Sequence, residues 1–274
     1  MVLSISSSSS SSMKSVSVIV RGILLCLLLT FVKCQVEVDP AIVIQNAERV
    51  IDISSQLVQI THKLKIENTG SSPAKYVLFT LEPHLKPHLS FIGATVGKEQ
   101  KPLKTSVVTL KGDQKDAVAY RLDLPDALVK GKPVDVEVET VLTKYLQPFP
   151  TEITQKEKQF VKYVGNHYLY SPYTVTKQTT KVTLASKGIE SFTKLKPFSQ
   201  SDNILTFGPY ENIPPFSVSE LVIHYENNSP FLTVTKLERT IEVSHWGNIA
   251  VEEKIEIVHT GAKMKVFLNT LRKV

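Results

Sequence analysis

This chain could build a metal site or a nucleophilic centre from its histidines and cysteines. It has seven histidines and two cysteines. His84 and His88 have the i, i+4 spacing that places two metal ligands on one helix face, but Pro83 and Pro87 oppose a regular helix there. No His-Glu-x-x-His motif occurs. We therefore predict loop histidines at the surface, with no metal and no cofactor.

Motifs for nucleophilic catalysis and phosphate binding are also missing from the sequence. It has no Gly-x-Ser-x-Gly elbow and no Gly-rich phosphate loop. A Ser-His-Asp triad is recognised by geometry, so composition leaves it open. The acidic residues alternate with apolar ones and fit the solvent side of strands. We predict that this chain is not an enzyme.

Residues 1–34 have the composition of a secretory signal peptide. An apolar run from Ile23 to Val32 follows a basic segment, and it is too short to span a bilayer. Val32 and Cys34 occupy the −3 and −1 positions of a cleavage site. We therefore predict a signal helix that is cleaved between Cys34 and Gln35.

Removal of this segment changes the charge and the cysteine content of the chain. Both cysteines, Cys26 and Cys34, would be lost, so the mature chain would have no disulfide in an oxidising compartment. Lys14, Arg21 and Lys33 would leave with no acid, which lowers the formal net charge from +6 to +3. The apparent basicity is thus largely a targeting signal, and a nucleic-acid partner is not expected.

The dominant hydrophobic period after the signal segment is two. Val134, Val136 and Val138 alternate with acidic residues, and similar alternation surrounds Leu64 and Ile255. Segments rich in Gly, Pro, Asn and Ser separate these runs. The pattern predicts an all-β chain built around an antiparallel β-sandwich.

An internal repeat organises the chain. The segment Glu48-Arg-Val-Ile-Asp-Ile-Ser54 matches Glu238-Arg-Thr-Ile-Glu-Val-Ser244, and after one inserted residue the match continues to a Thr-Gly pair in each copy. Each copy reads as strand, turn and strand. We therefore predict a sandwich domain over residues 35–233 and the opening hairpin of a second, incomplete β-domain over residues 234–274.

A Tyr-rich segment is the candidate binding surface. Aromatic residues mixed with prolines suit a sheet edge or a groove for extended peptide or sugar, and packing in the core is the alternative. The predicted peptide or partner surface consists of Tyr145, Phe149, Tyr163, Tyr168, Tyr170 and Tyr173.

The segment Asn227-Asn-Ser229 is an N-glycosylation sequon. It lies at the predicted domain boundary, and Pro230 follows it. Asn227 is therefore a candidate for glycosylation, with an unmodified polar linker as the alternative.

Several long strings carry a family resemblance that covers about residues 36–265. They include Tyr145-Leu-Gln-Pro-Phe-Pro-Thr-Glu-Ile-Thr-Gln155, Gly165-Asn-His-Tyr-Leu-Tyr-Ser-Pro-Tyr173, His224-Tyr-Glu-Asn-Asn-Ser-Pro-Phe231 and Ile241-Glu-Val-Ser-His-Trp-Gly-Asn-Ile-Ala-Val-Glu252. On these strings the chain resembles the ribophorin I family. The resemblance implies a non-catalytic subunit of the oligosaccharyltransferase complex, with a substrate-handling or scaffold role.

The resemblance also implies a location and partners. The complex works at the rough endoplasmic reticulum membrane and transfers an oligosaccharide to Asn-x-Ser/Thr of nascent chains. Catalysis belongs to its STT3-type subunit. The expected partners are that subunit, the other oligosaccharyltransferase subunits and nascent polypeptides on the lumenal side, with single-pass membrane attachment in a full-length form.

The C-terminal sequence departs from the family. After Lys265 we expect a Gly-Pro-Phe-Ser-Arg-like continuation, whereas the chain reads on from Val266 to Val274 without it. This predicts a truncated or alternatively spliced form. Two alternatives remain at this stage: the N-terminal β-domain of an aminopeptidase-type metallopeptidase, and a secreted carbohydrate-binding β-sandwich.

Overall fold

A computed structural model describes residues 35–112 and 116–265. The predicted signal helix, including Cys34, and the last nine positions lie outside the described residues. Within the described ranges, no helix has the length and the apolar character that a membrane crossing requires.

The described chain is built from twenty strands and one short 3-10 helix, Pro83–His88, which lies between the fourth and fifth strands. The first ten strands are β1 (Gln35–Val36), β2 (Ile42–Ile53), β3 (Val58–Asn68), β4 (Ala74–Leu81), β5 (Leu89–Val96), β6 (Lys101–Pro102), β7 (Lys104–Leu110), β8 (Val118–Leu128), β9 (Val134–Leu142) and β10 (Gln147–Pro148). The other ten are β11 (Glu152–Ile153), β12 (Phe160–Asn166), β13 (Thr174–Leu184), β14 (Ile189–Phe192), β15 (Phe198–Ser201), β16 (Ile204–Ile213), β17 (Glu220–Glu226), β18 (Leu232–Val243), β19 (Ile249–His259) and β20 (Lys263–Met264).

The largest sheet has eight strands in the order β15-β16-β13-β2-β3-β9-β5-β6. Its strands alternate buried and exposed residues, as β3 shows along its whole length. Alternation of this kind places every second side chain on one face, so this sheet has a dry inner face and a wet outer face. The period-two prediction is confirmed here.

Two four-stranded sheets form the opposing layer. Their orders are β1-β7-β8-β4 and β10-β12-β17-β14. Buried residues from both, such as Phe79 of β4 and Ile223 of β17, belong to the same hydrophobic cluster as Ile51 and Val138 of the large sheet. A sheet with one apolar face must bury that face against another layer, which accounts for the sandwich.

The predicted all-β class is confirmed, and most strand pairs are antiparallel. Among the strands of residues 35–112 and 116–265, three pairs are parallel: β2 with β13, β1 with β7, and β11 with β20. The pairing of β2 with β13 joins segments that are far apart in sequence, from Thr174 beside Val43 to Leu184 beside Ile53. A parallel pair requires a long connection between its strands. Alternation within a strand does not indicate which distant strand will pair with it.

The internal repeat has the same backbone pairing in both copies. We call β2–β3 the first hairpin and β18–β19 the second hairpin. The matched cross-strand pairs are Arg49–His62 and Ile51–Ile60 in the first hairpin, and Arg239–Glu253 and Ile241–Val251 in the second. A register shift between Ile44 and Asn46 of the first hairpin recurs between Val234 and Lys236 of the second. The two copies of the repeat therefore share their strand register and the position of a register shift.

The second hairpin is joined to the sandwich at its base. The backbone N–H of Leu232 donates to Gln56 Oε1 at 2.6 Å. Just beyond the hairpin, Ala262 N donates to Gln159 Oε1 at 2.8 Å, and β20 pairs with β11. These contacts involve only the ends of β18 and β19, so the body of the hairpin projects from the sandwich.

Candidate functional site

The Tyr-rich segment does not form one surface. Tyr163, Tyr170 and Tyr173 are buried, Tyr145 and Tyr168 are half-buried, and only Phe149 is largely exposed. The candidate surface therefore needs correction, because three of its six members pack in the core. The reason lies in strand alternation along β12, which directs Tyr163 inward.

One of the buried tyrosines, Tyr173, uses its hydroxyl group in a hydrogen bond with the backbone. The Tyr173 hydroxyl oxygen accepts a hydrogen bond from Leu78 N at 2.8 Å and thereby ties the loop before β13 to β4. Burial raises the pKa of Tyr163 to about 12. A buried phenol with a raised pKa stays neutral, so Tyr163 and Tyr173 act as packed core residues.

Tyr145 contacts both His84 and His88, the two histidines with i, i+4 spacing. His84 Nε2 lies 3.1 Å from the Tyr145 hydroxyl, and the ring of His88 meets the Tyr145 ring at 5.1 Å, edge to face. The Tyr145 hydroxyl donates to Val164 O. In the part of the chain that the structure describes, no group of three or more His, Cys, Asp or Glu could hold a metal ion. The two histidines therefore pack against an aromatic ring.

Phe149 is the exposed centre of a small ring cluster on the sheet that contains β12 and β17. It is 58% exposed, and its ring lies 5.4 Å from that of His224. His224 Nε2 is 2.8 Å from Phe149 O, and Phe160 packs against the same imidazole at 5.6 Å. The exposed aromatic surface of the segment is therefore formed by Phe149 and Phe160, together with His224 from β17.

Arg49 is a buried charge near the centre of the first hairpin. Its Nη1 donates to Asn166 O at 2.6 Å and to Tyr168 O at 3.2 Å, which links β2 to the end of β12. Sequence reasoning missed this residue, although the Glu-Arg pair that opens both repeat copies is a signal that could have drawn attention to it. Two carbonyl oxygens thus compensate one end of the buried guanidinium, whereas its Nε has no hydrogen-bond partner within the described residues.

His62 lies beside Arg49 and is also buried. Its pKa is held well below the usual value of 6.5, first by burial and then by the Arg49 charge. Within the described residues, neither ring nitrogen of His62 has a hydrogen-bond partner. A neutral imidazole is therefore enclosed in the core, where protonation would be costly.

The sequon asparagine is enclosed at the junction between the sandwich and the second hairpin. Asn227 is fully buried, and its Nδ2 donates to Ser55 O at 2.9 Å. Its Oδ1 accepts from Ser229 N at 3.0 Å. Because Nδ2 is the atom that a glycan would join, any glycan on Asn227 would have to be attached before these contacts form. Glycosylation of Asn227 stays a prediction of the sequon alone.

The second hairpin exposes an apolar surface, which we call the open face. Its members lie on one side of the hairpin, are each between 47% and 70% exposed, and are Val234, Leu237, Ile241, Val243, Ile249, Val251, Ile255 and Ile257. The Arg239–Glu253 ion pair, with Nε to Oε1 at 2.6 Å, crosses the middle of this face. Alternation around Ile255 in the sequence indicated part of this side.

Comparison with known proteins gives consistent sequence matches. A family model described as Ribophorin I matches residues 42–267. The chain is 40% identical over 228 residues to dolichyl-diphosphooligosaccharide–protein glycosyltransferase subunit 1B of Arabidopsis thaliana, covering 81% of this chain and 49% of that protein. It is 41% identical over 220 residues to subunit 1 of Caenorhabditis elegans, covering 80% of this chain and 37% of that protein. The chain thus spans half or less of the length of these relatives.

The matches to solved structures are weaker. An M1 zinc metallopeptidase from Deinococcus radiodurans aligns at 12% identity with a TM-score of 0.39, covering 79% of this chain and 48% of that one. At that TM-score the likeness carries no argument, and the metallopeptidase alternative gains nothing from it.

Proposed function

The chain belongs to the ribophorin I family, and from that premise we propose that it acts as a non-catalytic subunit of oligosaccharyltransferase. Its role would be to hold or present polypeptide during N-linked glycosylation of Asn-x-Ser/Thr in nascent chains. The observation that carries the proposal is the family match over residues 42–267. The relatives that it resembles are named as subunits of a protein glycosyltransferase.

The side-chain chemistry of the described core supports a scaffold role. Two buried ionisable groups are directed at the backbone: Arg49 at Asn166 O, and the Tyr225 hydroxyl at Ile53 O at 2.6 Å. Groups held in this way brace strands against one another. Catalysis would then belong to an STT3-type partner subunit.

The proposed location is the lumen of the endoplasmic reticulum, behind a signal peptide over residues 1–34. Gln35 and Val36, the first residues after the predicted cleavage site, pair with β7, and Val36 is buried. The proposed domains are the sandwich over residues 35–233 and the start of a second β-domain over residues 234–274, with membrane attachment in the longer form.

The proposed partner surface is the exposed cluster of Phe149, His224 and Phe160. Aromatic side chains are enriched at binding hot spots, and Phe149 offers the largest exposed ring of the Tyr-rich segment. A half-exposed ring that is anchored by its neighbours loses little side-chain entropy on binding.

Affinity purification from microsomes tests the proposal. We expect an epitope-tagged chain, expressed with its signal, to co-purify with the STT3-type subunit. Phe149→Ser should reduce recovery several-fold, whereas Val218→Ser, at a valine that is 69% exposed, should leave it unchanged. Secretion of the folded, tagged chain without any complex member would overturn the proposal for this form.

A further inference from the structure

Strand β5 of the large sheet has a free edge over most of its length. On one side it pairs with β9 along the whole strand, and on the other it pairs with β6 only at Thr95 and Val96. Leu103 N, which follows β6, donates to Ala94 O at 2.8 Å, and the chain then enters β7 of the other layer. Among the described residues, no strand pairs with Leu89–Gly93 on this side. We call this stretch the free edge of β5.

The free edge of β5 presents backbone hydrogen-bonding groups. In an antiparallel sheet, alternate residues of a strand direct their N–H and C=O groups to the same side. Because Ala94 O points away from β9 to Leu103 N, Ile92 also directs its N–H and C=O away from β9. Such groups are the donors and acceptors with which a sheet accepts a further strand. They match an extended polypeptide backbone.

Side chains beside the free edge are also uncovered. The cross-strand row of Phe79, Tyr120 and Val107 lies on the side of its sheet that faces the large sheet, where Phe79 contacts His62. Exposure along this row rises from 3% to 9% to 74%. In the large sheet, Ile92 of β5 is likewise only half-buried. The two layers are therefore open between Val107 and Ile92.

The other sheet edges carry protection that the free edge of β5 lacks. Proteins protect edge strands with short length, charges, prolines and bulges. β10 contains Pro148, β14 contains Glu190 and a register shift, and β15 has four residues. The edge of β4 is capped, because Leu78 N donates to the Tyr173 hydroxyl oxygen.

β5 has the uncharged sequence Leu-Ser-Phe-Ile-Gly-Ala-Thr-Val. Its own register shift lies near one end, between Leu89 and Phe91. The neighbouring β7 of the other layer is also without a strand on its second side from Lys104 to Val108 in the described chain, but it begins with a charge. An uncharged edge with apolar residues is the better template for strand addition.

We propose that the free edge of β5 binds an extended segment of another polypeptide as an added strand of the large sheet. The backbone of the segment pairs with Ile92, and its alternate side chains fill the gap between Ile92 and Val107. Those side chains are aliphatic, because they cover a valine. This goes beyond the proposed function, since it assigns a second contact site on a different sheet from Phe149, His224 and Phe160.

Charges near the two ends of the free edge favour an acidic segment. Lys86 lies just before β5, and Lys104 begins β7 beside it. Both are exposed, and neither makes an ion pair in the part of the chain that the structure describes. Acidic residues on the outer side of an added strand would complement them. The free edge therefore fits a segment in which aliphatic and acidic residues alternate.

A second copy of β5 is a poorer occupant than a separate segment. In a symmetric antiparallel pairing centred on Ile92, Ser90 of one copy would face Ala94 of the other. Leu103 already occupies that position, because its N–H is bonded to Ala94 O. A separate segment that ends opposite Gly93 avoids this conflict.

Fluorescence anisotropy with a labelled peptide tests the proposal on the purified mature chain, residues 35–274. The probe has the sequence of β9, Val134–Leu142, which alternates valine with acidic residues and pairs with the other side of β5 in the fold. We expect saturable binding. Ile92→Pro should weaken it about tenfold, because proline removes one outward backbone donor and is tolerated at a sheet edge.

A substitution in the opposing layer tests the gap between the sheets. Val107→Asp leaves β5 intact and places a carboxylate where the aliphatic side chains of the probe would lie, so it should weaken binding several-fold. The matched control Ser106→Asp lies next to it on the opposite face of β7 and should leave binding unchanged. Thermal unfolding of each variant monitors the fold independently.

Backbone N-methylation of the probe distinguishes strand addition from binding through side chains alone. Two versions carry N-methyl groups at alternate positions, so that each has a different edge blocked. One version should bind like the parent peptide and the other should not bind.

The proposal is overturned by equal binding of the two methylated versions, by no binding of the parent peptide, or by binding that Ile92→Pro leaves intact. Self-association of the chain that Ile92→Pro abolishes would assign the edge to a second copy and overturn it as well. No measurement here involves other glycosyltransferase subunits, so this proposal and the proposed function fail independently.

Discussion

The two hairpins of the repeat differ in their surroundings far more than in their backbone. β2–β3 and β18–β19 share their register and a register shift at equivalent positions. The first hairpin lies in the middle of an eight-stranded sheet beneath a second layer, whereas the second projects from the sandwich with its aliphatic side exposed. Local sequence therefore determines the hairpin, and the remainder of the fold determines whether it is buried.

The equivalent arginines of the two hairpins, Arg49 and Arg239, also differ in their surroundings. Arg49 is 5% exposed and bonded to backbone carbonyls, while Arg239 makes an ion pair with Glu253 on the surface. The residue before and the strand around each arginine are closely similar. Substitutions at equivalent positions should therefore have very different consequences.

The largest difference is expected for a charge placed in the centre of each hairpin. Ile51→Asp buries an unpaired carboxylate at a fully buried position and should lower the free energy of unfolding by about 4 kcal/mol or more. Ile241→Asp should change it by less than about 0.5 kcal/mol, because the position is exposed. Urea unfolding at submicromolar concentration compares them, and equal losses would contradict the comparison.

Replacement of the two arginines should give a smaller contrast. Arg49→Met leaves the carbonyls of Asn166 and Tyr168 without their buried donor, and we expect a loss of about 1–3 kcal/mol. Arg239→Met removes an exposed ion pair, for which about 0.2–1 kcal/mol is typical. The difference in urea midpoint measures the contrast. A larger loss of stability for Arg239→Met would contradict a stabilising role of Arg49 between β2 and the end of β12.

Acid should destabilise the first hairpin through His62. The pKa of His62 is lowered in the fold, so the unfolded chain binds the proton more readily and stability falls as pH drops below about 6.5. One such group accounts for about 1 kcal/mol between pH 6.5 and 5.5. His62→Leu should reduce the slope of this part of the pH profile, to which His167, whose pKa burial also lowers, still contributes. His245→Leu, at an exposed histidine of the second hairpin's turn, should leave the profile intact. An unchanged profile in His62→Leu would contradict neutral burial.

The smallest effect is expected at the junction between the two regions. Because Asn227 Nδ2 is bonded to Ser55 O in a buried site, we expect the folded chain to carry no glycan there. Treatment with an endoglycosidase should leave its electrophoretic mobility unchanged. Asn228→Gln serves as a control at the exposed neighbour. A mobility shift that disappears in Asn227→Gln would show that modification precedes folding.

Sequence reasoning was most successful where the signal is local. Alternation along β3 and β9 predicted strands and their buried sides, and the repeat predicted both hairpins. It could not predict the parallel pairing of β2 with β13, which depends on segments far apart in the chain. The family resemblance is confirmed by the Ribophorin I match.

The predicted binding surface shows why burial was harder to predict than the strands themselves. Tyr163 and Phe149 belong to the same aromatic segment, yet one is core and the other is surface. Composition identifies aromatic content, while burial depends on which layer a strand faces. The same limit applies to Asn227, whose side chain donates to the backbone of Ser55, a residue distant in sequence.

Hydrogen–deuterium exchange of the mature chain, read by mass spectrometry, tests the central comparison most directly. Amides of β2 and β3 should exchange only with global unfolding, whereas those of the middle of β18 and β19 should exchange orders of magnitude faster through local opening. Equal protection of the two hairpins would contradict the account.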